Sequence, residues 1–258
     1  MRTLLSLVAA ATLLSACSNP SETEITGAGE DGYTARTRST PVTLSTTTYS
    51  AGTLRFAYEV SGGCAEHKAA VKLVDLRPAD FTHEGRLEIA DVAAPDSCEA
   101  MVTVEGRADL RKLLRAGEPN ATTAVVKLPP FGLDLSSARP GPAAAQPTGN
   151  GYPVSLSGAT LKRDGTFSFG YFTAGGCAEH AAKVTVELRA AAADSFDYSH
   201  TAKVVVLDVP ASPDSCEARI SVDGSVDLGA LIRSEAQRTG ANVLSAKVEL
   251  PPLEVTAN

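Results

Sequence analysis

The sequence predicts an all-β protein built as two tandem, small antiparallel β-sandwich domains, each with one short helix. Three observations lead there. The second half of the chain repeats the first, apolar and polar residues alternate along most segments, and Gly and Pro punctuate them at short intervals. Many short strands with one buried face each have this signature.

The repeat is read first, because a missed duplication misassigns everything after it. Gly62-Gly63-Cys64-Ala65-Glu66-His67 recurs letter for letter as Gly175-Gly176-Cys177-Ala178-Glu179-His180, 113 positions on. Pro95-Asp96-Ser97-Cys98-Glu99-Ala100 recurs as Pro213-Asp214-Ser215-Cys216-Glu217-Ala218, 118 positions on, so the second copy holds five extra residues between the motifs. Leu128-Pro129-Pro130 answers Leu250-Pro251-Pro252, and the copies open at Pro41-Val42-Thr43-Leu44 and Pro153-Val154-Ser155-Leu156. The domains are therefore placed at 41–130 and 153–252, with 131–152 as a Pro/Gly/Ala-rich linker and 253–258 as a tail. Such a linker lets two relatively independent domains meet.

Within each copy the elements follow in order. Leu54, Phe56 and Tyr58 alternate with Arg55, Ala57 and Glu59, and Phe167, Phe169 and Tyr171 repeat the pattern, the period-2 mark of a sheet with one buried face. A second strand holds Val71 and Leu73, matched by Val184 and Val186; a third holds Leu87 and Ile89, matched by the run 203–207. A fourth carries Met101, Val102 and Val104 against Ile220 and Val222, and a closing strand carries Val125, Val126 and Leu128 against Lys247, Val248 and Leu250. Only Asp109 to Arg115 and Asp227 to Ala236 read as helix, each with an Asp placed to cap its start.

Four Cys fall inside the copies, two in each and identically placed. In an exported chain, Cys64 with Cys98 and Cys177 with Cys216 is the pairing that keeps each copy self-contained. Small domains bury a limited fraction of their surface, so such a staple matters. The four His fall in comparable places too: His67 and His180 three residues after the first Cys, His83 and His200 ahead of the second. One reading makes each copy a Cys2His2 metal site, but a Cys pair cannot be both disulfide and thiolate ligand. A second keeps the disulfides and sets His67 with Glu66 or Asp96, and His180 with Glu179 or Asp214, as a surface metal or ligand site. A third makes His67 and His180 structural residues beside a Gly-Gly turn, hydrogen-bonded to loop carbonyls. Strand alternation separates Glu66 from His67, and Pro95-Asp96-Ser97 reads as a turn.

The chain opens differently. MRTLLSLVAAATLLSAC has Arg2 and then an uncharged run from Thr3 to Ala16, too short to span a bilayer permanently and patterned as an export signal over residues 1–16. Its end, Leu14-Ser15-Ala16-Cys17, resembles the lipobox of bacterial lipoproteins. That resemblance implies a diacylglyceryl group on Cys17, an acyl group on its amine, and a membrane anchor; Ser18, rather than Asp, favours the outer membrane where there is one. Several acyl chains at about 0.8 kcal/mol per buried methylene hold a protein on a bilayer, whereas one is marginal. Residues 17–40 then read as a lipidated flexible tether, poor in large apolar side chains. The Gly-Gly-Cys-x-x-His repeats behind such a start loosely resemble bacterial envelope lipoproteins, a likeness that carries no active site.

Several function classes are excluded. Lys and Arg number 23 against 30 Asp and Glu, a net charge of -7, with no basic run to track a phosphate backbone, so nucleic acid is no partner. With 5% aromatic residues and no Trp, a stacking platform is not expected. No G-x-S-x-G elbow, phosphate loop, H-E-x-x-H helix or C-x-x-C pair occurs, and Ser97 or Ser215 joins a triad only on paper. The expectation is a non-enzymatic, membrane-anchored envelope lipoprotein, a binding or structural accessory module with no cofactor beyond its lipid. Its partners are the bilayer through Cys17 and an envelope protein or small ligand. The alternatives are a periplasmic metal-binding protein using the four His, and, behind it, an exported hydrolase.

Overall fold

The computed structural model describes residues 23–24, 38–79, 82–94, 97–136, 145–190, 200–213 and 215–257. The export signal, Cys17 and most of the tether lie outside these residues, as do Asp96 and Asp214. Ahead of the first copy is β1 (Thr23–Glu24), and the copy runs through β2 (Arg38–Pro41), β3 (Leu44–Ser50), β4 (Thr53–Ser61), β5 (His67–Ala79), β6 (Thr82–Ala93) and β7 (Met101–Asp109). It continues with α1 (Leu110–Gly117), β8 (Thr123–Lys127) and β9 (Phe131–Asp134). The second copy repeats this as β10 (Tyr152–Pro153), β11 (Leu156–Leu161), β12 (Thr166–Gly175), β13 (His180–Ala190), β14 (His200–Pro210), β15 (Ala218–Asp227), α2 (Leu228–Thr239), β16 (Ser245–Glu249) and β17 (Leu253–Thr256).

The period-2 reading matches burial on the inward face, while Ala57, assigned to the outward row, is buried as well. Leu54, Phe56 and Tyr58 are buried while Arg55 and Glu59 face water, and Phe167, Phe169 and Tyr171 repeat this. Phe56 lies directly across from Gly106, and Phe169 from Gly224; a Cβ on either glycine would run into the facing ring. Asp109 caps α1 by accepting from the amides of Arg111 and Lys112 (3.0 and 3.1 Å), and Asp227 caps α2 by accepting from Ala230 (2.9 Å). Gly240, at φ 71°, ends α2 in the left-handed conformation that a residue without Cβ adopts freely.

The expectation of two separate tandem sandwiches does not hold. All strands belong to one large curled sheet with two helices. Segments read as linker and tail supply the joining strands: β9 pairs antiparallel with β16 of the other copy, Phe131 opposite Val248, while β17 pairs with β8, Leu253 opposite Val126. Each copy lends its last strand to the other. The cause is local. Pro129-Pro130 and Pro251-Pro252 remove two successive amide donors, which a central strand cannot lose without breaking its ladder. Past the prolines each strand keeps one short parallel pairing at home, Phe131 with Leu44 and Leu253 with Leu156, and makes its longer ladder on the neighbour's edge. β3 and β11 also pair antiparallel, Tyr49 opposite Ala159.

The sheet thus runs along two related paths. One is β5-β6-β8-β17-β11-β12-β15 and the other β13-β14-β16-β9-β3-β4-β7. Side chains from both copies fill a single apolar core, with Phe131, Leu133, Leu253 and Val255 of the exchanged strands 2% exposed or less. Burying each such side chain stabilises by about 1.5–3 kcal/mol, so the exchange is part of the core and not a surface contact.

Candidate functional site

The disulfides are those expected, Cys64–Cys98 and Cys177–Cys216, closing 34 and 39 residues with Cα atoms 5.9 and 5.8 Å apart. Each ties the turn between two strands to the segment entering the next. Beside the bond, Gly62 N–H donates to Ala100 C=O (2.7 Å). Gly63 sits at φ 124° and Gly176 at φ 114°, a backbone open to glycine and strained for other residues. A Cβ at Gly63 would also press on Ala100 and Val102, and one at Gly176 on Ala218 and Ile220.

Three residues past each first Cys, the His turns into the protein. His67 opens β5 opposite Ala93, and on the same face, one diagonal step away, lies Asp91. His67 Nδ1 is 2.8 Å from Asp91 Oδ2, and the Tyr58 hydroxyl donates to Asp91 Oδ1 at 3.0 Å. The second copy repeats this with His180 Nδ1 2.8 Å from Asp208 Oδ2 and Tyr171 donating to Asp208 Oδ1 at 3.0 Å. The His and Asp side chains are 6% and 9% exposed in the first copy and 3% and 5% in the second. Burial first, and then the neighbouring carboxylate, push both tyrosine hydroxyls well above the ordinary tyrosine value. Each Tyr therefore stays a neutral donor.

Among the described contacts, the second copy adds a bond at its carboxylate. Thr173 donates a third hydrogen bond to Asp208 Oδ2 (2.9 Å), whereas Val60 stands at the matching place in the first copy. His67 Nε2 is buried and makes no hydrogen bond. Burying a carboxylate is costly unless it is hydrogen-bonded, and here both oxygens of each are engaged. The network crosses from β4 to β6 and β5, and from β12 to β14 and β13. It holds facing strands together where the disulfide closes the same end.

The site residues read from sequence separate accordingly. The partner of His67 is the carboxylate of Asp91, not a loop carbonyl and not Glu66, which reaches Lys68 instead (3.2 Å). His83 pairs with Pro78 at the far end of the β5–β6 hairpin from His67, about ten residues along the strand or roughly 33 Å. His200, opposite Ala190, is equally removed from His180, opposite Pro210. The two His of one copy thus share no site, and the four thiols are spent in disulfides. Among the described residues no group of three or more His, Cys, Asp and Glu is placed to hold a metal. Asp91, Asp208, Tyr58 and Tyr171 are the residues sequence reasoning missed in this role. A signal was present: Leu87, Ile89, Asp91 and Val204, Val206, Asp208 continue a buried period into an acid, in both copies.

Compared with family models, curated proteins and solved structures, the chain matches none. Each carboxylate has both oxygens engaged and each imidazole is buried beside it, so these groups tie neighbouring strands together. Among the described residues no helix is long and apolar enough to cross a membrane.

Proposed function

We propose that the protein is an exported, lipid-anchored accessory module of the cell envelope, with a binding or structural role. The observation that carries the reading is the matched disulfide in each copy, a bond that persists where thiols are kept oxidised. The lipobox-like Leu14-Ser15-Ala16-Cys17 behind an uncharged run supplies the address, and two or more acyl chains on Cys17 give a lasting anchor. Duplicated covalent and buried polar staples suit a rigid body held outside the cytoplasm.

Mass spectrometry of the N-terminal peptide, with fractionation of the wild-type and Cys17→Ser proteins, tests this. The expected result is a triacylated Cys17 in the membrane fraction and a released C17S protein with both disulfides intact. An unmodified Cys17 in a soluble wild-type protein would overturn the proposal.

A further inference from the structure

We infer that the disulfide end of the first copy, tipped by Met101, is the surface that rests on the bilayer, and that β1 holds it there. The inference rests on the lipid anchor proposed above and adds which face that anchor presents. Two independent features point to it. The first is the course of the chain. Thr23 and Glu24 pair with Gly106 and Arg107 in parallel, so β1 enters from the side on which β7 starts. That side is the disulfide end, where Met101 lies opposite Ser61 and Gly62 N–H donates to Ala100 C=O. Cys17 stands six residues ahead of Thr23 in the sequence, a reach of at most about 22 Å. Met101 is five strand residues before Gly106, or roughly 17 Å. An acylated Cys17 tied to β7 through β1 therefore brings the lipid surface level with Met101 and leaves the body little slack to turn away.

The second feature is the make-up of that end. Met101 is 65% exposed, the one exposed large apolar side chain of the first copy among the described residues. Gly63, Cys64 and Ala100 are exposed beside it. The matching position in the second copy is Arg219, paired with Glu254 (3.1 Å), so the apolar tip belongs to the copy that holds β1. The charges around it nearly cancel. Glu66 pairs with Lys68 (3.2 Å) and Glu59 with Arg163, which leaves Glu99 and Asp96 against Arg38, the residue that opens β2 opposite Ala93. Such an end has no excess of Lys or Arg to draw an anionic surface. An apolar side chain among small neighbours suits the boundary of a zwitterionic one.

Met101 also supplies the test, because it and Met1 are the only methionines of the chain and Met1 lies in the export signal. Exposed methionine oxidises readily to the sulfoxide. The triacylated protein, bound to preformed phosphatidylcholine–phosphatidylethanolamine vesicles, and the unlipidated mature chain are treated with chloramine-T, an anionic oxidant that stays out of the bilayer. The Met101 peptide is then read by mass spectrometry. Met101 is expected to oxidise several-fold more slowly in the vesicle-bound protein. Ala116→Met adds a reporter on α1 at the other end of β7, where Gly117 lies near Leu76, and should oxidise equally fast in both. Thr23→Pro with Glu24→Pro removes the amide donors of β1 and should free Met101 to oxidise while the protein stays with the vesicles. Equal Met101 rates in bound and unlipidated protein, stronger protection of A116M than of Met101, or protection that survives the proline pair would overturn the inference. A wild-type protein that does not partition to vesicles sinks the anchor and this inference together, whereas one that partitions with Met101 unprotected sinks this inference alone.

Discussion

The Tyr49 hydroxyl, on β3 of the first copy, donates to the backbone carbonyl of Glu254, 205 residues further on in β17 (2.9 Å). Tyr49 is 4% exposed and Glu254 forms an ion pair with Arg219 (3.1 Å). One bond thus ties the first copy to a strand that the second has lent it. Arg163 and Glu59 add an ion pair between the copies at 2.5 Å, which as an exposed contact contributes little. The exchanged strands and their shared core hold the halves together.

The interlock predicts that the copies cannot be pulled apart by cutting between them. Proteolysis between β9 and β10, after Ser136 and before Tyr152, should leave two fragments that co-elute under native conditions and separate only in denaturant. Thermal unfolding of the intact chain should show a single transition, because one core spans both copies. Two resolved transitions in calorimetry would contradict the exchange.

The buried carboxylates should be unequal. Replacing either Asp91 or Asp208 with Ala strands buried donors and should cost about 3 kcal/mol or more, with the larger loss at Asp208, where three donors converge against two at Asp91. Val60→Thr should copy the Thr173 bond into the first copy and raise stability by about 1 kcal/mol. Denaturant titration of the three variants checks the order.

Each disulfide should contribute about 4 kcal/mol on the chain-entropy model, given closed loops of 34 and 39 residues. The paired variants Cys64→Ala with Cys98→Ala, and Cys177→Ala with Cys216→Ala, should therefore lose similar amounts of stability. Because the halves share a core, each loss should lower the midpoint of the whole protein rather than of one half, as equilibrium unfolding will show.

At high pH the buried tyrosines should oppose folding. Burial, the largest influence, pushes the Tyr49 hydroxyl up to about 12 from its ordinary 10.0. A group whose value is raised on folding supports the native state fully below its unfolded value and loses that support as pH climbs through the folded one. Stability should therefore fall between about pH 10 and 12 as the unfolded chain releases the proton first. Tyr58 and Tyr171, raised further still, extend the loss beyond. Tyr49→Phe should flatten the first part of that fall in denaturant midpoints measured across the range.

Glycines that receive an aromatic ring should tolerate no side chain. Gly106→Ala and Gly224→Ala would drive a methyl into Phe56 and Phe169, and overpacking of this kind costs about 1–3 kcal/mol. A combined Gly106→Ala and Phe56→Leu variant should recover part of the loss, measured as a double-mutant cycle.

Much of the local structure was legible because it depends on neighbours in sequence. Alternation revealed the buried faces of β4 and β12, Asp109 and Asp227 announced their helices, and the duplicated Cys motifs implied the two bridges. The Tyr–Asp–His networks were half legible: the duplicated His stood out, but their partners lie 24 and 28 residues away on an adjacent strand. Pairing at that range depends on register, which alternation leaves open.

By itself, then, the sequence determined that two like units of short strands exist, which faces they bury and which cysteines each can close upon itself. Only the tertiary structure decided that the units share one sheet. The Pro-Pro pairs mark where a ladder must end, but an edge strand's hydrogen-bonding groups are the same in either copy. That Phe131 is bridged to Leu44 at home and also opens a longer ladder opposite Val248 depends on which edges lie within reach once both halves have curled, and that is a property of the assembled core.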